Sequence, residues 1–328
     1  MSATLSYVIR LFWNSREGRP RALWRLLGEL VLLLGLIVVL GIAFALALQP
    51  LISPGLGGSF LYVAAYGAVI TLLATIASMW LSARFLDHRP FRDYGFRFDR
   101  GWWLDFGFGL LLGALLMVVI FLTELAAGWL TVVESFRSAN SGQPFALGLV
   151  AAVILFSSVG TYEEMLSRGY LLHNLAEGLN LHRADPRVAV VLAWLLSSVA
   201  FGLAHASNPN ATLASTGSIF VAGIFLGLGY VLTGELAVPI GLHIAWNFFQ
   251  GNVFGFHVSG ADFSQTTFIA TVQGGPDLWT GGPFGPEGGL LGFLAMLAGS
   301  LLILLWVRFR RESVAIHTGL AEYPYVER

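Results

Sequence analysis

The chain has 328 residues, of which 56% are hydrophobic and only 11% charged, and its mean hydropathy is +0.74. Soluble domains carry about a quarter charged residues, so this balance excludes a soluble enzyme and points to a polytopic membrane protein. The net charge of −1 speaks against nucleic-acid binding, and the absence of cysteine excludes disulfides, iron–sulfur clusters, thiolate zinc sites and cysteine nucleophiles.

The first 25 residues carry Arg10, Arg16, Arg19, Arg21 and Arg25, with no apolar core leading to a small-residue cleavage site. No cleaved signal peptide is therefore expected. Eight transmembrane helices are predicted near 27–48, 59–83, 103–123, 146–172, 188–205, 213–233, 236–251 and 289–307, given that a bilayer crossing needs about 20 apolar residues. No soluble domain fits between them and no repeat is visible. The expected fold is one all-α membrane helix bundle over residues 1–328, with the polar motifs gathered in 146–251.

Arginine placement sets the orientation through the positive-inside rule. The N-terminal five are followed by Arg84, Arg89, Arg92, Arg97 and Arg100, then Arg183 and Arg187, then Arg308, Arg310, Arg311 and Arg328. Only Arg137 falls on an outer loop, and Arg168 lies within the fourth span; the 252–288 loop has no arginine and bears Asp262, Asp277 and Glu287. Both termini are thus expected in the cytoplasm. Every basic residue is arginine, a bias that suits a bacterial chain, so the bacterial inner (cell) membrane is the expected location and the bilayer the constant partner.

Ionisable groups inside membrane spans are costly and are functional candidates by default. Glu163, Glu164 and Arg168 lie in the fourth span, His205 ends the fifth, and His243 and Asn247 sit four apart on the seventh. His88, His173, His182, His257 and His317 fall at span ends or in loops and read as solvated, and Glu124 reads as interfacial. Neighbours on a helix point about 100° apart, so the two glutamates diverge. Glu164 and Arg168 have the i, i+4 spacing of an ion pair, which leaves Glu163 to face a cavity. A carboxylate, two imidazoles and a carboxamide could then activate a water and stabilise an oxyanion. Equally, Glu163, His205 and His243 could ligate a catalytic zinc ion. Taken singly, each group has a plainer role: the Glu–Arg pair as a structural clamp, His205 as an interfacial residue, His243 with Asn247 as interhelical glue.

Glu163-Glu164-x-x-x-Arg168, Phe201-x-x-x-His205 and His243-x-x-x-Asn247 occur in that order on separate apolar segments. In this the chain resembles the CAAX-protease and bacteriocin-processing family, which includes the type II CAAX prenyl endopeptidases. The flanking Arg168-Gly169-Tyr170-Leu171-Leu172, Phe201-Gly202 and Asn247-Phe248 resemble it too. The resemblance implies that Glu163 activates the water, that Glu164 and Arg168 support it, and that His205, His243 and Asn247 complete the site. It implies an intramembrane endopeptidase acting on a membrane-associated peptide, with no cofactor beyond the zinc alternative. The competing readings are a non-catalytic immunity or scaffold protein of the same fold and a proton-coupled transporter.

Two positional expectations follow. Glu163 and His243 lie within about ten residues of the cytoplasmic ends of their spans, whereas His205 lies about 17 residues, roughly 25 Å, from the cytoplasmic start of its own. Further, the 84–102 loop combines five arginines with Phe85, Phe91, Tyr94, Phe96, Phe98, Trp102 and Trp103. That mixture suits the cytoplasmic headgroup layer, where the loop reads first as a topology determinant with an aromatic belt and, as a sharper alternative, as a surface segment that presents a membrane-bound peptide to the site.

Overall fold

The computed structural model describes residues 11–48, 60–138, 144–180, 185–311 and 313–324. Arg10, His182, Arg183 and Arg328 lie outside them. The helices are α1 (Ala22–Leu48), α2 (Phe60–Phe85), α3 (Arg100–Ala126), α4 (Phe145–Glu164), α5 (His173–Leu179), α6 (Pro186–Ala204), α7 (Leu213–Thr233), α8 (Ala237–Phe248), the short α9 (Asp277–Thr280) and α10 (Leu290–Arg311). Their starts follow from local chemistry. Asp99 caps α3 by accepting from the Trp102 N–H, Asp185 caps α6 ahead of Pro186, and Thr212 and Ser215 form a reciprocal capping box on α7. The outer faces of α1, α3 and α10 expose Leu34, Val38, Ile42, Leu111, Leu115, Leu122, Leu294, Leu301 and Leu305, a surface made for lipid rather than water.

Among the described residues seven helical stretches are long and apolar enough to cross a membrane. The segment expected as an independent span at 236–251 is different. Its helix α8 has 12 residues and continues through the π-helical Phe249–Val253, so the segment crosses the bundle but is shorter than the other seven. It is packed between α3, α4 and α7 as a core helix. Small residues make that packing close. A Cβ built on Gly109, Gly113 or Gly241 would come within 2.5 Å of the Val238 carbonyl, 2.6 Å of the Leu242 carbonyl and 2.3 Å of the Phe106 carbonyl. Gly109-x-x-x-Gly113 on α3 facing Gly241 on α8 is thus a small-residue seam.

The α4 helix does not stop where the apolar run ends. It continues through a π-helical segment, Met165–Leu172, into α5, so that Phe145–Leu179 is one 35-residue stretch. The extension is held by charge. Glu177 is paired with Arg19 at 2.8 Å and Arg25 at 2.9 Å, and also with Arg89, while Arg25 reaches Asp87 at 2.9 Å. His173 is buried in this cluster beside Arg89, not solvated, because the α5 extension turns it inward. Tyr323 lies over the Arg19 guanidinium, its hydroxyl donating to the His88 carbonyl. The first and last described segments, with the ribbon of β1 (Trp13–Asn14) and β2 (Arg19–Pro20), therefore share one arginine-rich end with the 86–99 loop and the α7–α8 turn.

The opposite end carries β3 (Leu130–Arg137) paired antiparallel with β4 (Thr267–Gln273), and the 254–289 segment. Glu124 faces this end but is fully buried, accepting from Gln273 at 2.8 Å. The β3–β4 sheet covers it, which removes the interfacial role expected of it.

Candidate active site

Three elements converge near the centre of the bundle. The α4 helix delivers Glu163 and Glu164 just before the π-helical segment, a local widening that often marks function. The end of α6 brings His205, and α8 brings His243 and Asn247. The meeting of α4 and α8 depends on Gly160, where a Cβ would stand 2.9 Å from the Ile244 nitrogen. Without a side chain there, the two backbones approach closely enough for the carboxylates to reach the imidazole.

Glu164 is fully buried and its Oε1 is 2.8 Å from His243 Nδ1 and 3.0 Å from Arg168 Nη1. Arg168 also donates to Ser167 Oγ at 2.7 Å and to the Gly223 carbonyl at 2.9 Å, and its guanidinium lies 4.5 Å from the centre of the Phe201 ring. The expected Glu164–Arg168 pair is present, and Glu164 additionally holds the histidine. His205 Nδ1 lies 2.8 Å from the Phe201 carbonyl, its own helix's i−4 acceptor. With both Nδ1 atoms engaged by acceptors, both imidazoles direct Nε2 to the same place: His205 Nε2 and His243 Nε2 are 3.9 and 3.8 Å from Glu163 Oε2.

Glu163 Oε2 accepts no hydrogen bond from the described residues. Two neutral Nε2 atoms and a carboxylate oxygen make an acceptor-rich corner, satisfied by a water, by a protonated imidazole or by a cation. The donors are chemically suited to zinc, but their spacing is wide. Ligands of one tetrahedral zinc at about 2.0–2.1 Å lie roughly 3.3 Å apart, and no set of three or more such ligands is gathered among the described residues.

The corner opens into a cavity of about 570 Å³ that also takes in Asn247, Tyr162, Phe201, Asn208 and Ser259. Glu163, His205, His243 and Asn247 thus share one cavity, while Glu164 and Arg168 lie behind it. The sequence reading passed over Ser259 and Glu287. Ser259 lines the cavity from the 254–289 segment, and the buried Glu287 Oε1 accepts its backbone N–H at 2.5 Å. The sequence marked Glu287 only as one of three acids, with Asp262 and Asp277, in a glycine-rich loop without arginine.

The depth expected from straight spans is corrected. Because α4 continues to Leu179, Glu163 lies 16 residues, about 24 Å, from that end, close to the depth of His205. The start of α8 is itself sunk beneath the 86–99 loop, where the Leu236 N–H donates to the Gly95 carbonyl at 3.1 Å. No residue of the 84–102 loop lines the cavity. Arg97 instead pairs with Glu235, and Trp102 donates to the Gly95 carbonyl at 2.9 Å, so these side chains of the loop pack at the arginine-rich end.

Comparison with known proteins agrees with the motifs. Residues 144–249 match the family model described as Type II CAAX prenyl endopeptidase Rce1-like, so the resemblance drawn from the three motifs holds over that segment. The uncharacterized protein YyaK of Bacillus subtilis (strain 168) is 27% identical over 248 residues, covering 71% of this chain and 78% of that protein. No solved structure matches.

Proposed function

We propose, taking the Rce1-like match of residues 144–249 as premise, that the protein is an intramembrane endopeptidase in which Glu163 activates a water held against His205 and His243. The observation that carries this is the approach of both Nε2 atoms to within 4 Å of one Glu163 oxygen. A water in that corner gives a proton to Glu163 as its oxygen attacks the peptide carbonyl carbon. The carbonyl oxygen becomes an oxyanion, for which the Asn247 amide is the available donor, joined by a histidine Nε2 only where that ring carries a second proton. As the tetrahedral intermediate collapses, the C–N bond breaks and the proton held by Glu163 passes to the departing amine. Glu164 keeps the Nδ1 hydrogen of His243 in place and so fixes which nitrogen faces the reaction, the role a carboxylate plays behind a catalytic or metal-bound histidine. The Asn247 amide, one turn beyond His243 on α8, lines the same cavity. If zinc occupies the corner, Glu163, His205 and His243 hold it and it supplies Lewis acidity to the bound water.

The substrate in this reading is a membrane-associated peptide, and the protein resides in a bacterial cell membrane with both termini inside. The test is cleavage of a panel of membrane-anchored peptides by purified protein in vesicles, with metal analysis and a chelator control. Cleavage by wild type, lost in Glu163→Gln, supports the peptidase. Chelator resistance with no bound metal supports direct activation by Glu163, and zinc content with chelator loss supports the metal form. Wild type that cleaves nothing in the panel counts for a non-catalytic protein of the same fold.

A further inference from the structure

We infer that the catalytic cavity is entered from the end of the bundle opposite the arginine-rich one, so that its substrates are polypeptides presented on the extracytoplasmic side of the membrane. Which bond is cut rests on the peptidase reading above; the side of entry does not.

Three observations converge. The first is the lining. Beyond the catalytic groups the cavity is walled by Leu155, Val159, Ala204, Pro209, Ala261 and Phe263, with Leu166, Ser167 and Leu171 of the π-helical segment lining its inner end. Pro209 follows the end of α6, and Ala261 and Phe263 belong to the 254–289 segment; all three stand at the end that carries β3 and β4. Hydrogen bonds join these parts, Asn208 to the Ser259 carbonyl at 3.0 Å and Asn210 to the Gly260 carbonyl at 3.1 Å.

The second is the shape of the bundle. The α6 helix packs on the π-helical segment and on α5, and leaves the 145–164 stretch of α4 for α2 and α8. The two walls of the cavity, Leu155 and Val159 on α4 and Ala200 and Ala204 on α6, therefore part towards the β3–β4 end and close towards the arginine-rich one. Behind the catalytic groups on the closed side lie Glu164, Arg168, Tyr170, His173 and Tyr230, all buried. Exposure follows the same gradient: 20% for the Glu163 side chain and 16% for His205, against 0% for Glu164 and 1% for Arg168.

The third is charge. Among the described arginines only Arg137 stands at the β3–β4 end, and Arg168 is in the middle; the remainder crowd the other end. The positive-inside rule places that crowded end in the cytoplasm, which leaves the mouth of the cavity outside. An exported or outward-anchored polypeptide can reach Glu163 from there, its chain passing between the Leu155–Val159 and Ala200–Ala204 walls. On the arginine-rich side the ion pairs of Glu177 with Arg19, Arg25 and Arg89 tie the end of the bundle together, and none of these residues lines the cavity.

The chain contains no cysteine, which permits a direct test. Ala261→Cys places a thiol at the mouth, Ser207→Cys places one on the exposed turn beside it, and Glu322→Cys marks the arginine-rich end. Each is exposed to a membrane-impermeant maleimide in right-side-out and in inverted vesicles. Ala261→Cys and Ser207→Cys should label only in right-side-out vesicles and Glu322→Cys only in inverted ones. Labelling of the mouth thiols from the cytoplasmic face overturns the proposal, as does labelling of Glu322→Cys from the same side as them. Because the readout needs no turnover, it is repeated in the Glu163→Gln background. An unchanged pattern there, together with a wild type that cleaves no peptide, would refute the peptidase reading while leaving the outward opening intact.

Discussion

Glu164 Oε1 lies 2.8 Å from Nδ1 of His243, across the interface between α4 and α8. The same oxygen accepts from Arg168 at 3.0 Å, so one buried carboxylate holds both the cavity-lining His243 and an internal guanidinium. Glu164→Gln should therefore harm two properties at once. The amide cannot neutralise Arg168, and its NH₂ group competes with the Nδ1 hydrogen of His243. Breaking a buried pair by removing one partner costs about 3–5 kcal/mol, with the lower end expected here because Ser167 and the Gly223 carbonyl still hold Arg168. Thermal unfolding in detergent should show a clear drop in Tm, accompanied by reduced turnover. A variant as stable as wild type would refute the coupling.

Glu163→Gln should separate from it cleanly. Glu163 Oε2 accepts no hydrogen bond from the described residues, so the isosteric amide sacrifices little stability. In the mechanism proposed above it removes the base, and loss of a general base typically costs about 10²–10⁴-fold in rate. The expected result is unchanged melting with turnover at or below a hundredth of wild type. Activity lost only in Glu164→Gln would exchange the roles of the two glutamates.

The bundle and its polar set were legible because each rests on a local signal. Apolar runs of span length declare helices, and an i, i+4 pair such as Glu164 with Arg168 declares a shared face. Depth was not legible. Glu177 looks like a solvated residue past the end of a span until Arg19, Arg25 and Arg89, from two distant segments, are seen to neutralise it. That pairing lets the helix run on, which in turn sinks Glu163 to the level of His205. His173 was misread for the same reason. That the α8 crossing lies inside the protein was not legible either, because hydropathy reports burial without distinguishing lipid from protein. The role of Glu287 depends on a contact to Ser259 28 residues away, which no local pattern encodes.

Gly160 offers a test of geometry apart from chemistry. A side chain there meets Ile244, next to His243, at 2.7 Å from its Cγ1 and 2.9 Å from its backbone nitrogen. Gly160→Val should push α8 away from α4 and lengthen the Glu164–His243 contact. A misplacement of about 1 Å can cost roughly 10²-fold in rate. The expected outcome is folded but impaired protein, with kcat falling more than KM rises. Gly67→Val, on α2 where a Cβ meets nothing within 4 Å, should leave turnover intact. Equal loss from both would show that α4–α8 spacing is not what matters.

The last prediction concerns pH and Glu287. Burial pushes its carboxyl up from an ordinary 4.5 to about 7, opposed by the Ser259 and Gln250 N–H groups that it accepts. It stands beside His205 and His243 around a small inner cavity, so its protonation bears on the segment that roofs the site. The raised value means that the folded protein binds a proton more tightly than the unfolded chain. Between pH 4.5 and 7 the folded state therefore carries the larger proton complement, and stability falls as pH rises. The Glu287 contribution is fully present below about 4.5, lost through about 7 and flat above it. A shift of this size corresponds to roughly 3 kcal/mol at most, at 1.36 kcal/mol for each pKa unit. Glu287→Gln keeps the acceptor for Ser259 and removes the titration. Melting curves from pH 4 to 8 should show wild type losing Tm across that window while the variant loses less, with the two diverging most above pH 7. Parallel curves across the range would assign the pH dependence to other groups and leave Glu287 a neutral clamp on Ser259.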